Sequence, residues 1–428
     1  MSRKTKTTTT KEVGNPALTP KLRFPEFRES EEWEGIPIGD KVDLLSGYAF
    51  DGPDITQDTS GIRLLRGINV TEGRIRHNAE IDRYYTGATK GLEKFRLQTN
   101  DLVIGMDGSK VGKNSALVSA PDSGALLIQR VARLRANNQA LIQFIFQHIN
   151  STVFHSYVNR INTSSGIPHI SAKQIKDFEI CFPSEFEQQK IAECLSSVDE
   201  VIAAQARKLD ALKTHKKGLM QELFPREGET QPRLRFPEFQ DAPEWGGEKL
   251  SSMVQLVSGT HLSPDQYGKE KGVPYFTGPS DFTNDIQSIT KRTNESSGIA
   301  KENDTLITVK GSGVGTIWYL TLFSIAMGRQ LMAIRATDGV SRFVYQFLLT
   351  KKSRFGDLAS GNLIPGLSRG DILDLDAPIT STPEQQRVAD CLTSLDNLIS
   401  AQAQKLEALK THKKGLMQQL FPSPEEEV

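Results

Sequence analysis

Two Gly-rich turns carry the residues best suited to chemistry. The first, Asp107-Gly108-Ser109-Lys110-Val111-Gly112-Lys113-Asn114, looks like a loop that cradles phosphates. Such a loop needs four residues between its glycines and then Lys-Ser/Thr, whereas here three intervene and Asn114 follows Lys113. The matching turn, Gly311-Ser312-Gly313-Val314-Gly315-Thr316, has no lysine. The spacing therefore disfavours a nucleotide site. What remains is a tight turn presenting Ser109, Lys110 and Lys113 to a nucleic-acid phosphate, or a purely structural hairpin. Residues able to read base edges or hold phosphates stand in the same turn-rich segments: Tyr48, Arg63, Arg66, Asn69, Asn114, Gln129 and Arg130, then Thr277, Ser280, Lys310, Ser312, Arg329 and Gln330. Arg66 and Arg130 flank apolar, strand-like runs and are read as base contacts; Lys110 and Lys113 are read as phosphate contacts.

Charge limits how such a surface could work. The 428 residues contain 52 Lys+Arg and 52 Asp+Glu, so a generally basic coat is excluded. Residues 34–183 hold 17 basic and 15 acidic groups, and residues 246–382 hold 14 and 13. Balances this weak imply that partners supply much of any phosphate contact.

Catalytic signatures are missing. The seven histidines form no ligand cluster, and His215 and His412 sit beside lysines, so no metal site is indicated. No Gly-x-Ser-x-Gly elbow, dinucleotide fingerprint or Asn/Asp-Pro-Pro-Tyr/Phe box occurs, and no catalytic residue is assigned. Cys181, Cys194 and Cys391 have no paired spacing; Cys194 and Cys391 are read as buried thiols, as in a reducing cytoplasm. With 37% apolar residues and no apolar run of membrane length, a soluble cytoplasmic chain without membrane contact is expected. Residues 1–20 are Thr/Lys-rich and read as a disordered arm.

The elements that must position these residues are written twice. Leu22-Arg23-Phe24-Pro25-Glu26-Phe27 returns as Leu234 to Phe239, and Trp33 as Trp245, at an offset of 212. Glu187-Gln188-Gln189 returns as Glu384 to Gln386 and Thr214 to Met220 as Thr411 to Met417, at an offset of 197. Each half is thus a variable block followed by a nearly constant one. The variable blocks, 21–183 and 225–382 (the latter with a linker at 225–245), read as α/β. Strands are expected near 42–45, 62–70, 101–104 and 126–134, with a helix over 141–157; in the second block near 254–257, 273–276, 305–309 and 325–334, with a helix over 343–355.

The constant blocks, 184–224 and 383–422, read as long helices, with a short tail at 423–428. Ile191, Leu195, Val198, Ile202, Leu209, Leu212 and Leu219 follow a 3.5-residue period, with Gln205 and Lys216 interrupting it. Val388, Leu392, Leu395, Ile399, Leu406, Leu409 and Leu416 repeat the pattern around Gln402 and Lys413. Acids gather early in each helix and bases late, which opposes unlike charges only if the helices pair antiparallel.

With Leu-Arg-Phe-Pro-Glu-Phe before a Trp, Glu-Gln-Gln opening each helix and Lys-Leu-(Asp/Glu)-Ala-Leu-Lys-Thr-His-Lys-Lys-Gly-Leu-Met-Gln-(Glu/Gln)-Leu-Phe-Pro closing it, the chain resembles the specificity subunit of type I restriction-modification systems over residues 21–422. The resemblance implies a fold of two tandem target recognition domains, each reading one half of a split, asymmetric site in double-stranded DNA. It implies an antiparallel coiled coil that spaces them and docks two methyltransferase subunits, with restriction/translocase subunits joining. S-adenosylmethionine, ATP and Mg would belong to those partners, and this chain would bind no cofactor itself. Independently, about 36 helical residues span roughly 54 Å, enough to set two readers more than one DNA turn of about 34 Å apart. Two other readings stay open on sequence: a specificity subunit serving an orphan or type II-like methyltransferase, and a coiled-coil adaptor that binds only proteins.

Overall fold

The computed structural model describes residues 19–136, 138–162, 167–295, 298–311, 313–360 and 366–422. The arm and the tail expected at the two ends fall largely outside these residues. Two compact units result, Met1–Ala204 with Leu406–Val428, and Gln205–Lys405. Each long helix, Glu185–Leu223 and Thr382–Leu420, contributes to both.

In the first unit an antiparallel sheet has the strand order Asp43–Ser46, Val131–Arg135, Leu102–Gly105, Ser115–Leu117. Leu102–Gly105 is buried along its length, which requires cover on both faces. Leu102 and Ile104 pack with Phe144, Ile145 and Ile149 of a helix, while Val103 turns to Leu65, Val70, Leu97 and Leu127 on the other side. A second sheet orders Leu126–Leu127, Ile62–Leu65, Arg83–Tyr85 and Ile55–Thr56, its first pair parallel. The second unit repeats the plan: Val254–Ser258, Leu331–Ala336, Thr305–Thr308 and Ile317–Tyr319 form one sheet. Val273–Phe276 lies parallel to Ser324–Met327 in the other.

Several expected elements are shorter than their apolar patterns. The run 62–70 leaves strand geometry after Leu65, because Asn69 bends the chain into a turn. The run 126–134 breaks at Arg130, whose φ of 69° is left-handed. The helix expected over 141–157 is two, Gln139–Ile149 and Thr152–Ile161, because Ser151 caps the second by accepting from Phe154 N at 3.3 Å. Its counterpart likewise divides into Ser341–Thr350 and Lys352–Ser360.

The repeated motifs close each unit on a long helix. Arg23 donates to both carboxylate oxygens of Glu187, at 2.8 and 2.7 Å, and to the carbonyls of Ser30 and Glu31. Leu22 N reaches Gln419 O at 2.9 Å. In the second unit Arg235 holds Glu384 at 2.7 and 2.8 Å, and Leu234 N reaches Glu222 O at 2.9 Å. The acids read from sequence as part of a charge gradient therefore include two buried, fully paired ones. Trp33 and Trp245 stand against Phe144 and Phe343, with centroids 6.1 and 5.9 Å apart.

Within each unit the helix segments meet start to end. In the first, Lys413 donates to Asp199 at 2.7 Å and Gln147 to the same carboxylate at 3.0 Å; in the second, Lys216 and Gln346 reach Asp396 at 2.6 and 2.8 Å. Gln205 bonds Gln402. The polar interruptions of the seam are thus satisfied by partners, and every apolar seam residue named above is buried or half-buried. Leu195 clusters with Leu416 and Leu420, whereas Leu392 clusters with Leu219 and Leu223. Paired cysteines at 195 and 416 should accordingly cross-link efficiently and a pair at 195 and 392 should not, as read by gel mobility after oxidation; the reverse pattern contradicts the arrangement.

Candidate nucleic-acid interface

Three turns of the first unit gather at one place: Ile62–Leu65 pairs with Leu126–Leu127 in one sheet, and the turn after Leu126–Leu127 leads into Val131–Arg135, which pairs with Leu102–Gly105 in the other. Leu65, Gly105 and Leu127 end those strands, and Ile128 N to Leu65 O (3.3 Å) and Met106 N to Arg130 O (2.9 Å) tie the turns together. The result is an open cleft of about 710 Å³ lined by Arg66, Ser109, Lys110, Asn114, Gln129 and Arg130 among the sequence candidates. Gly67, Ile68, Val70, Thr71, Arg76, Asp107, Gly108 and Ile128 complete it. Arg66 Nη1 donates to Ile81 O at 3.1 Å, which holds one edge of the guanidinium at the cleft wall. Arg130 stands 3.4 Å from Asp107 and is 65% exposed. Lys110 lies 3.2 Å from Glu72, both solvated. Exposed pairs of this kind are worth about 0–1 kcal/mol, so both cations are released to a ligand at small cost.

The remaining candidates divide. Lys113 is exposed on the same turn but outside the cleft lining; burial, with help from its charge, lowers the nearby His155 from the ordinary histidine value. Tyr48, 43% exposed, meets Phe50 edge-on and Phe95 at a tilt, with centroids 5.0 and 5.2 Å away, and its backbone carbonyl accepts from Gln129 N at 2.8 Å, at the edge of the group. One needs correction and one stands apart from the cleft. Asn69 is fully buried: its amide donates to Asp82 (2.9 Å) and Arg76 O (3.1 Å) and accepts Arg66 N (3.2 Å), so it staples the turn and has no free edge for DNA. Arg63 is engaged elsewhere, 3.5 Å from Pro121 O and 4.0 Å from Asp122.

In the second unit Lys310, Arg329 and Gln330 are exposed on the corresponding turns. A Cβ built on Gly278 would lie 3.0 Å from the Gln330 amide oxygen, and one on Gly311 3.8 Å from the same side chain, so the turns converge here too. Ser280 is exposed beside a cavity of about 180 Å³. Thr277 is corrected like Asn69: its hydroxyl donates to Asp281 at 2.6 Å and accepts from Lys291 at 2.9 Å, a structural clasp. Burial pushes the Asp281 carboxyl up, but these bonds outweigh it and hold the group below its ordinary value. Ser312 lies outside the described residues.

Sequence reasoning missed Ile68 and Arg76, which no motif marks, and passed over Asp107, which opens the Gly-rich turn. Other strand arginines are structural: Arg135 and Arg335 fork onto buried Asp101 and Asp304, and Arg133 pairs with Asp43. Among the described residues no group of three or more His, Cys, Asp or Glu gathers as a metal site, and no helix is long and apolar enough to cross a membrane.

The family model for the type I restriction modification DNA specificity domain matches residues 31–214 and again 243–411. The chain belongs to that family of specificity subunits, the DNA-recognition rather than the catalytic part of restriction-modification complexes. It is 25% identical over 413 residues to the proposed type I restriction enzyme MjaX specificity subunit of Methanocaldococcus jannaschii, covering 91% of this chain and 93% of that one. Over 181 residues it is 31% identical to the type I restriction enzyme EcoAI specificity subunit of Escherichia coli, covering 41% of this chain and 29% of that one. The crystal structure of a type I restriction-modification S subunit from M. genitalium has the same fold, with a TM-score of 0.64 at 19% identity, over 95% of this chain and 100% of that one.

Proposed function

We propose that each unit reads one half of a bipartite, asymmetric site in double-stranded DNA. The two long helices pair as an antiparallel coiled coil that spaces the readers and docks two methyltransferase subunits, with restriction/translocase subunits joining the assembly. S-adenosylmethionine, ATP and Mg belong to those partners, and this chain binds no cofactor itself. The observation that carries the reading is the cleft in which Arg66, Asn114, Gln129 and Arg130 converge from separate turns. Arginine bidentate to guanine and Asn or Gln bidentate to adenine are the pairings such a set makes in a major groove. The near-neutral charge fits a reader whose hold on phosphate comes mostly from partners.

The test uses the chain assembled with its modification subunits. Arg130→Ala should relax one position of the methylated motif and cost about 1–3 kcal/mol in affinity for cognate duplex. Lys110→Ala should weaken binding to all sequences alike and lower the salt slope by about one. Methylation mapping together with binding across salt concentrations checks both. If Arg66→Ala and Arg130→Ala leave motif and affinity unchanged while Lys110→Ala changes a base preference, the roles are inverted.

A further inference from the structure

One side chain in the cleft is not explained by its polar surroundings. Ile68 is 46% exposed and lines the cleft with Arg66, Gln129 and Arg130. Scattered exposed aliphatic residues are ordinary on a surface; this one stands among groups suited to base edges. Its display is built into the turn. Asn69 and Val70 beside it are buried, Asn69 is held by three hydrogen bonds, and Arg76 Nε donates to Ile68 O at 3.0 Å. The backbone is therefore stapled from beneath while the side chain faces outward. A β-branched side chain has few χ1 states to lose on contact. The one apolar feature on a base edge in the major groove is the 5-methyl group of thymine.

We infer that Ile68 reads a thymine methyl group in the half-site recognised by the first unit. The inference rests on the DNA-reading function proposed above. The second unit provides an internal control. The turn after Val273–Phe276 holds the same place in the topology as the turn after Ile62–Leu65, since each strand pairs in parallel with the strand leading to Gln330 or Gln129. Its sequence is Thr277-Gly278-Pro279-Ser280, in which Pro279, the register equivalent of Ile68, is half-buried and the exposed residue is a serine. Dependence on a thymine methyl should thus be confined to one half of the site.

The experiment measures binding by the chain assembled with its modification subunits. The probe is a duplex bearing the motif methylated in the host, with each thymine replaced singly by deoxyuridine, which removes only the methyl group. At one position, in the half-site altered by Arg130→Ala, the unsubstituted complex should bind about fourfold more weakly, the value of one buried methyl group. Ile68→Ala should lose a similar factor on the thymine duplex and nothing more on the uracil duplex, whereas Ile68→Val should keep the discrimination. Positions in the other half should not respond. The inference is overturned if every uracil duplex binds as well as its thymine parent, or if Ile68→Ala weakens both duplexes equally, as a wedge would. If Arg66→Ala and Arg130→Ala change nothing, the cleft is not the reading surface and the proposed function fails. If they alter the motif while uracil is neutral, only the role of Ile68 fails.

Discussion

Replacing Glu187 by alanine should destabilise the first unit by about 3–5 kcal/mol, the usual cost of stranding one member of a buried ion pair. The side chains of Arg23 and Glu187 are 7% and 1% exposed, and the carboxylate raises the arginine pKa by hydrogen bonding against the opposing effect of burial. Once Glu187 is gone, the guanidinium keeps only the carbonyls of Ser30 and Glu31. Denaturant unfolding followed through Trp33 fluorescence, in a Trp245→Phe and Trp318→Phe background, reads the first unit by itself. Glu384→Ala should do the same to the second unit, followed in the complementary background that keeps Trp245. There, burial pushes the Glu384 carboxyl up, but bonds from Arg235 and Thr380 outweigh it and hold the group below its ordinary value. A loss under 1 kcal/mol in either unit would mean that the motif is not what anchors the helix.

The second large effect is an acid sensitivity that His148 adds to the first unit. His148 is buried with its ring centroid 3.9 Å from Phe421 and 4.7 Å from Phe144, and burial lowers its pKa from 6.5 to about 3. Its Nε2 has no hydrogen-bond partner among the described residues, so no neighbour shares the cost of a charge. The unfolded chain takes a proton near 6.5 while the folded unit resists until about 3; stability is therefore complete above the unfolded value and falls as pH drops toward 3. At pH 4.5 the loss attributable to this group should be about 2–3 kcal/mol, at about 1.4 kcal/mol per pKa unit. Phe347 packs near Phe224 in the second unit, with centroids 6.2 Å apart. His148→Phe should therefore be accepted and should remove that part of the acid dependence. Unfolding curves for both proteins at pH 7.5 and 4.5 check it, and equal losses on acidification would show that His148 is not the sensitive group.

The repeat and the helical seam were legible because they are local facts: residue identities at fixed offsets, and apolar residues at a fixed period. The site was legible by type and much less by position. Arg66, Gln129 and Arg130 sit where β-strands end, and turn residues were visible there as Gly and Asn neighbours. Asn69 and Thr277 looked no different in sequence, yet Asp82 and Asp281, 13 and 4 residues away, take up their polar groups, burying the first and half-burying the second. Burial of an amide or a hydroxyl is decided by such tertiary partners. Ile68 was hidden for the opposite reason: in a run of apolar residues an isoleucine counts as core, and only the bend imposed by Asn69 turns it out. The single helix expected over 141–157 failed at Ser151, where a capping hydroxyl competed with an apolar period that continued through it.

The anchoring of Leu22 to Gln419 bears on the order in which the chain acquires structure. The second unit is one uninterrupted stretch, residues 205–405, whereas the first needs Met417, Leu420 and Phe421 to complete a core begun at Trp33. During synthesis the recognition unit encoded first is therefore the last to close. While the ribosome adds about two hundred further residues, Ile191, Leu195 and Phe144 wait without their partners, exposed to proteases and to other nascent chains. A ribosomal stop near residue 406 would release a chain whose second unit is whole and whose first is open on one side.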